Sequence, residues 1–313
     1  MAALKLKFAC GDYDRMEALR LGAVKPEGIE LDCLGILSPR ETFDRMTNNA
    51  EFDVCEMSSS QLIAMTAAGD RTFVGLPVIP SRIFRHSYVF LNRKSGLKNP
   101  KDLEGKRIGA GLYTQTAAVW IRGILAHDHG VDFSRVTFVQ GAIDVAGPHG
   151  NPKLPPLTKP VNIVQNDKPK SLTQMLLDGE IDALTTGTTP KLFGKHPDLV
   201  RLFPDYRERE KDHFRRTGLY PIMHVIAIRR EVVEKNPWAP QALYTAFEKS
   251  KQWALERMHY TGVTRYMLPW MFADLEEIQE VFGGDPWPYG VEDRKSTRLN
   301  SSHIPLSRMP SSA

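Results

Sequence analysis

Several features are missing from this 313-residue sequence, and each absence argues against a class of protein. No run of about eighteen apolar residues is present, and a membrane-spanning helix needs one. Lys5 and Lys7 interrupt the first segment, so it lacks the apolar core of a secretory signal, and we expect a cytoplasmic protein. The strings G-x-G-x-x-G, G-x-x-x-x-G-K-[ST] and G-x-S-x-G are also absent, which leaves no signature of a dinucleotide site, a P-loop or a nucleophile elbow.

Cysteine is scarce, and net charge is low outside the last segment. The odd set of Cys10, Cys33 and Cys55 lies in strand-like segments, which favours small buried side chains in a reduced protein over a disulfide framework or a nucleophile. Residues 293–313 carry four basic side chains and one acidic side chain, and the rest of the chain has 37 basic and 36 acidic residues. The formal charge of +4 therefore indicates neither a nucleic-acid nor a membrane partner.

Short strand patterns alternate with amphipathic helix patterns from the N-terminus onward, which predicts an α/β fold with a largely parallel sheet. Two apolar strands, at 86–92 and 221–229, interrupt this rhythm, and a long helix is predicted at 239–258. We interpret these two strands as crossings between lobes. Lobe 1 would comprise 1–85 and 226–292, and lobe 2 would be inserted as 86–225, with a hinged ligand cleft between the lobes.

Particular strings then resemble known families. The runs DLEGKRIG (102–109) and GEIDA (179–183) resemble hallmarks of the type II periplasmic-binding-protein fold. Longer strings resemble the 4,5-dihydroxyphthalate decarboxylase family, and the similarity extends from about residue 4 to 292. These strings are ACGDYDR (9–15), FDVCEM (52–57), SRIFRH (81–86), TAAVW (116–120), LFPDY (202–206), TGLYPIMH (217–224) and DPWPYG (285–290).

The resemblance implies conversion of 4,5-dihydroxyphthalate, or a close dihydroxy aromatic diacid, to protocatechuate and carbon dioxide without an organic cofactor. The partner would be a small aromatic dicarboxylate in phthalate degradation, and a homo-oligomer is compatible with the sequence. Two alternatives share the fold. One is the solute-binding receptor of an ABC-type transporter. The other is a protein of the related thiamine-pyrimidine branch, in which a histidine would be part of the substrate itself.

A dianionic substrate needs cations and aimed donors, which arginine side chains and helix N-termini supply. Each such residue has a simpler interpretation as a helix cap or a surface charge. The predicted substrate-binding residues of this kind are Ser58, Ser59, Arg82, Arg85, Thr114, Gln115, Thr116 and Thr188.

Two histidines are predicted to handle protons, because loss of carbon dioxide from an aromatic ring needs a proton delivered to the carbon that carried the carboxylate. His86 and His224 lie on the predicted crossing strands, although each could equally be a hydrogen-bonded core histidine. Asp12 and Tyr13 are predicted to contact the phenol oxygens. No metal site is expected, because the close pair His127 and His129 would point to different faces of a helix.

The last segment is predicted to be a non-native, disordered tail. Residues 293–303 resemble a translated sequencing adaptor, and 307–313 resemble its continuation. We therefore expect the native C-terminal sequence to be missing after about residue 292.

Overall fold

A computed structural model describes residues 2–154 and 156–290, and these divide into two compact units. The first unit contains 2–58, 69–82 and 224–290. The second contains 59–68 and the described residues of 83–223. Residues 59–68 thus group with the second unit, whereas the sequence analysis placed them in lobe 1. The predicted tail, 293–313, lies outside the described residues.

Eleven β-strands are formed by the described residues. In chain order they are β1 (Leu4–Cys10), β2 (Ile29–Gly35), β3 (Val54–Ser58), β4 (Phe73–Arg82), β5 (Val89–Asn92), β6 (Arg107–Ala110), β7 (Thr137–Gln140), β8 (Ile163–Gln165), β9 (Ala183–Thr185), β10 (Leu199–Arg201) and β11 (Ile222–Arg229).

Nine α-helices are formed by the same part of the chain. They are α1 (Asp14–Arg20), α2 (Pro39–Asn49), α3 (Ser59–Ala67), α4 (Thr116–His129), α5 (Leu172–Leu177), α6 (Tyr206–Thr217), α7 (Arg230–Lys235), α8 (Ala239–His259) and α9 (Met271–Phe282). None of the helices within the described ranges is long and apolar enough to cross a membrane.

The sheet of the first unit has the strand order β2-β1-β3-β11-β4. Strand β1 runs parallel to both β2 and β3, whereas β11 runs antiparallel to β3. In that antiparallel register Ile226 lies opposite Glu56 and His224 lies opposite Ser58. Because side chains alternate between the faces of a strand, Glu56 and His224 project from the same face as diagonal neighbours.

The sheet of the second unit has the order β10-β5-β9-β6-β7-β8. Strands β6 and β7 are parallel, and their buried residues Ile108 and Phe138 belong to one apolar core with Leu125 of α4. Near the other end of α4, the indole of Trp120 is 1% exposed and donates to the carbonyl oxygen of Ile222 at 2.9 Å. Packing along both ends of α4 therefore fixes this helix within the unit.

Most strongly patterned elements match their predictions. Strands β1 and β11 and helix α8 lie where the sequence placed them. The predicted strand at 86–92 is wrong at its start, because His86–Tyr88 form a 3₁₀ turn and β5 begins at Val89. Strand β8 lies inside the segment 144–170 that was predicted as a surface excursion, and α9 was not predicted. All three cysteines are free, with Cys10 and Cys55 buried and Cys33 half-buried.

Candidate active site

A charged residue lies at the centre of the sheet of the first unit. All five residues of β3 are buried, and Glu56, the middle one, is 0% exposed. A carboxylate in such a position is costly unless donors surround it. Glu56 can therefore occupy a central strand only because other groups donate hydrogen bonds to it.

Donors from two other strand regions meet the Glu56 carboxylate. Oxygen Oε2 accepts from the backbone N–H of Gly11 at 2.8 Å, just after β1. Oxygen Oε1 accepts from the hydroxyl of Tyr13 at 2.6 Å and also from Nδ1 of His224. The thiol of Cys10 lies 3.5 Å from Oε2. The segments before α1, the centre of β3 and the start of β11 are thereby joined at one carboxylate.

These contacts keep Glu56 ionised. Burial alone would raise the pKa of its carboxyl, but the adjacent His224 and the hydrogen bonds from His224, Tyr13 and Gly11 outweigh burial and lower that pKa. The pKa of the Tyr13 hydroxyl is raised, first by burial and then by the Glu56 charge. Tyr13 is thus held as a neutral donor, and Glu56 is an acceptor for His224.

The imidazole of His224 is oriented from two sides. Nδ1 faces the Glu56 carboxylate, and the ring packs edge-on against Phe43 with centroids 4.9 Å apart. An ionised carboxylate at Nδ1 requires the hydrogen there, which leaves Nε2 as the nitrogen that can exchange a proton. The side chain is 16% exposed, so the ring is held but not sealed from solvent. A carboxylate-oriented imidazole of this kind can act as general acid or base.

A guanidinium group lies beside the same cluster. The guanidinium carbon of Arg15 lies over two aromatic rings, 4.4 Å from the centroid of Tyr13 and 4.3 Å from that of Trp287. Its Nε donates to the carbonyl oxygen of Pro80 at 2.8 Å, and Nη1 contacts Asp14 at 2.9 Å. The planar group is therefore fixed in orientation, as carboxylate recognition by arginine requires.

The other predicted residues of the first unit have different surroundings. Asp12 has a side chain 61% exposed and forms an ion pair with Arg20, so it does not join the Glu56 cluster. Arg82 is 2% exposed and donates to the carbonyl oxygen of Pro288 at 3.2 Å. Ser58 is buried opposite His224 in the β3–β11 register.

The predicted helix N-termini of the second unit are joined to each other. The Ser60 hydroxyl, at the start of α3, donates to the carbonyl oxygen of Thr114 at 2.8 Å and lies 2.9 Å from the hydroxyl of Thr116. The Ser59 hydroxyl donates to the carbonyl oxygen of Met223 at 3.0 Å. Gln115 is the N-cap residue of α4 without a side-chain capping bond. These contacts explain the serine and threonine runs as packing between α3 and α4.

Arg85 and Thr188 lie elsewhere in the second unit. Arg85 is 4% exposed, donates to the carbonyl oxygen of Gly187 at 2.9 Å, and contacts the sulfur of Met223 at 3.0 Å. Burial lowers the pKa of its guanidinium to about 10. Thr188 is exposed, and its backbone N–H and carbonyl oxygen both bond to the Thr186 hydroxyl.

His86, the second predicted catalytic histidine, lies at the opposite end of α4 from Thr116. Its ring lies 5.3 Å from that of His213 and 6.0 Å from that of Phe203, measured between centroids. Since Asp128 of the same cluster is twelve residues beyond Thr116, a rise of 1.5 Å per residue separates the two ends by about 18 Å. Burial, followed by the nearby His213, lowers the pKa of His86 to about 3.

Sequence reasoning missed Glu56 and Arg15. Both lie within strings that carried the family resemblance, at 52–57 and 9–15. The available signal for Glu56 was a single acidic residue between apolar neighbours in a predicted buried strand. No comparable signal separates Arg15 from other arginines, because its aromatic neighbour Trp287 is far away in sequence.

Comparison with solved structures identifies the class of fold. A conserved Candida albicans gene product, described as exhibiting the generic periplasmic binding protein structural fold, matches with a TM-score of 0.54 at 14% identity, covering 97% of this chain and 92% of that chain. A Bordetella bronchiseptica protein matches with a TM-score of 0.52 at 17% identity, covering 99% and 91%. The chain therefore has the periplasmic-binding-protein fold.

Sequence comparison identifies the family within that fold. The 4,5-dihydroxyphthalate decarboxylase of Comamonas testosteroni is 37% identical over 94% of this chain and 88% of its own length. The enzyme of the same name from Pseudomonas putida is 34% identical over 69% of this chain and 83% of its own. The family model described as NMT1/THI5 like matches residues 25–151. This chain belongs to the 4,5-dihydroxyphthalate decarboxylase family, which confirms the resemblance drawn from the sequence strings.

Proposed function

We propose that this chain is a carboxy-lyase that removes one carboxylate from 4,5-dihydroxyphthalate or a close dihydroxy aromatic diacid, giving protocatechuate and carbon dioxide. The observation that carries the proposal is the His224 imidazole bound through Nδ1 to the buried carboxylate of Glu56. The names of the two curated relatives support the substrate class.

The proposed reaction breaks the bond between the ring carbon and one carboxylate and forms a ring C–H bond in its place. The hydroxyl para to that carbon donates electron density, so the ring carbon accepts a proton and passes through a dienone-like intermediate. The electron pair of the broken bond then restores aromaticity as carbon dioxide leaves. One proton is consumed for each carboxylate lost.

His224 would deliver that proton from Nε2. The Glu56 carboxylate stabilises the protonated ring before transfer and keeps the ring oriented afterwards, as in other carboxylate–histidine pairs. His224 then regains a proton from solvent, and the phenol keeps its own proton in the product, so no net change remains in the protein. Tyr13 and Gly11 hold Glu56 in place and are positioning residues in this scheme.

Arg15 would bind the carboxylate that is retained. Its guanidinium lies over the rings of Tyr13 and Trp287, and the Tyr13 hydroxyl is the donor that holds Glu56. Arg15→Met is expected to raise KM about tenfold or more, with a smaller loss of kcat, because the contact is made before and during the reaction. Arg15→Lys keeps the charge without the planar fork and should recover only part of the loss. An unchanged KM in Arg15→Met would remove Arg15 from the substrate site.

The direct test mixes the protein with 4,5-dihydroxyphthalate and measures carbon dioxide and protocatechuate together. Stoichiometric formation of both products is expected from the unaltered chain. The variant His127→Asn should give the same yield, since His127 is an exposed histidine on α4 in the second unit. Tight binding without turnover would contradict the proposal and favour a solute-binding receptor.

A further inference from the structure

A second cluster of titratable side chains lies within the second unit, assembled from three separate elements. His86 comes from the 3₁₀ turn before β5, Asp128 from the last turn of α4, and His213 from α6. One ring nitrogen from each histidine and one oxygen of Asp128 lie within 4.8 Å of one another. Among the described residues this is the one group of three or more such side chains with metal-ligand spacing.

Two nitrogen atoms of this cluster are buried without hydrogen bonds. His86 and His213 are 3% and 4% exposed. Nδ1 of His86 and Nε2 of His213 have no hydrogen-bond partner within the described part of the chain. A carboxylate oxygen of Glu210 lies 3.9 Å from Nδ1 of His86, which is beyond hydrogen-bond range. Buried polar atoms are rarely left unsatisfied, since each costs about 1–3 kcal/mol.

The contact between Asp128 and His213 determines which ring nitrogen of His213 has no hydrogen bond. Oδ2 of Asp128 lies 2.8 Å from Nδ1 of His213, so an ionised Asp128 places the ring hydrogen on Nδ1. Nε2 of His213 is then left buried, with no hydrogen-bond partner among the described residues. For Asp128 to bind the same ion as Nε2 of His213, its carboxylate must rotate away from Nδ1, so the ion would replace this hydrogen bond.

Space for an ion and its water ligands adjoins the cluster. A cavity of about 400 Å³ adjoins His86 and Asp128, and His213 is not part of its lining. The other lining residues are His129, Glu208, Arg209, Asp212 and Arg216. Ligands of a tetrahedral zinc ion at 2.0–2.1 Å lie about 3.3 Å apart, so the cluster would need to contract by at most about 1.5 Å. Side-chain rotation at the cavity wall can supply a movement of that size.

We propose that His86, Asp128 and His213 form a binding site for one divalent transition-metal ion of the zinc class. Two imidazoles and one carboxylate suit Zn²⁺, Co²⁺, Ni²⁺ or Fe²⁺, whereas Mg²⁺ and Ca²⁺ prefer all-oxygen sites. The ion would join the end of α4 to α6 and to the turn before β5, and so fasten three elements of the second unit. The expectation of no metal site considered only neighbours in sequence, and it did not include His213.

The test uses the full chain after dialysis against a chelator. Titration with Co²⁺, followed by visible absorption, should show one equivalent bound, and Zn²⁺ should displace it. His86→Asn and Asp128→Asn should each weaken binding at least tenfold. His127→Asn is the matched control, because this exposed histidine adjoins Asp128 on the same helix, and it should bind as the unaltered chain does.

Two outcomes would overturn the site. One is the absence of stoichiometric Co²⁺ binding by the unaltered chain, which does not depend on any variant folding. The other is equal affinity in His86→Asn and His127→Asn, with far-ultraviolet circular dichroism showing that both are folded. Addition of Zn²⁺ should also raise the unfolding temperature of the unaltered chain but not that of Asp128→Asn, as linkage requires. Mg²⁺ should have no effect in either measurement.

Discussion

His224 and His86 show how two histidines with the same predicted role acquire opposite environments. His224 in the first unit faces a fully buried carboxylate through Nδ1 and is partly open to solvent. His86 in the second unit is 3% exposed, its Nδ1 has no hydrogen-bond partner among the described residues, and burial lowers its pKa to about 3. Burial therefore keeps the His86 ring neutral, whereas the His224 ring faces a carboxylate and is open to solvent. Proton transfer near neutral pH therefore favours His224.

The largest expected effect is that of His224→Asn. Asparagine can still donate a hydrogen bond to Glu56, so the buried carboxylate keeps a partner, but it cannot carry a proton to the ring carbon. We expect kcat to fall by about 10²–10⁴, with a smaller change in KM. Steady-state assay of protocatechuate formation measures both, and His127→Asn serves as the control. A loss of less than tenfold would mean that His224 does not deliver the proton, and the two histidines would then not differ in the way described above.

Glu56→Gln should have the next largest effect. The amide keeps the size of the side chain but removes the charge that faces Nδ1 of His224, so we expect kcat to fall by about 10²-fold or more. The pH–rate profile should change with it, because Nδ1 of His224 would face a neutral amide instead of a carboxylate. A profile identical to that of the unaltered chain would show that Glu56 is only structural.

His86→Asn should reduce kcat/KM by less than tenfold. His86 is neutral and lies in a cluster at the far end of α4 from Thr116, so any loss would arise through packing of the second unit rather than through proton transfer. The same assay and the same control apply as for His224→Asn. A loss equal to that of His224→Asn would make His86 a catalytic residue after all.

The smallest effect concerns stability in acid. The folded-state pKa of Glu56 is below its ordinary value of 4.5, so its contribution to stability is fully present above pH 4.5. That contribution is lost as the pH falls through the folded-state pKa, because the unfolded chain takes up the proton first. In urea unfolding, any stability advantage over Glu56→Gln should shrink by up to about 1.4 kcal/mol per pH unit below pH 4.5. A constant difference would contradict the lowered pKa.

The fold was more predictable than the site for a physical reason. Alternating and continuous apolar patterns are local, so they located strands such as β1 and β11 and the long helix α8. A short apolar run does not distinguish a strand from a tight turn at its start, and this is why the 3₁₀ turn at His86 was predicted as strand.

The site depends on contacts between residues that are far apart in the sequence. Glu56 and His224 are 168 positions apart, and only the β3–β11 register makes them neighbours. His213 was predicted to lie on a solvated helix because its neighbours in sequence are charged, yet its own side chain is buried against Asp128. Burial of a single polar position on a charged helix leaves no local pattern.

The buried carboxylate of β3 also constrains the order in which this site could be dismantled during evolution. Loss of His224 to an apolar residue would leave the Glu56 charge with one donor fewer in the centre of a sheet, so the fold as well as the chemistry would suffer. If Glu56 changes to glutamine first, no charge is left buried in the sheet, and His224 is then no longer needed for folding. Descendants that keep the fold but abandon the chemistry should therefore have lost the acid before the histidine.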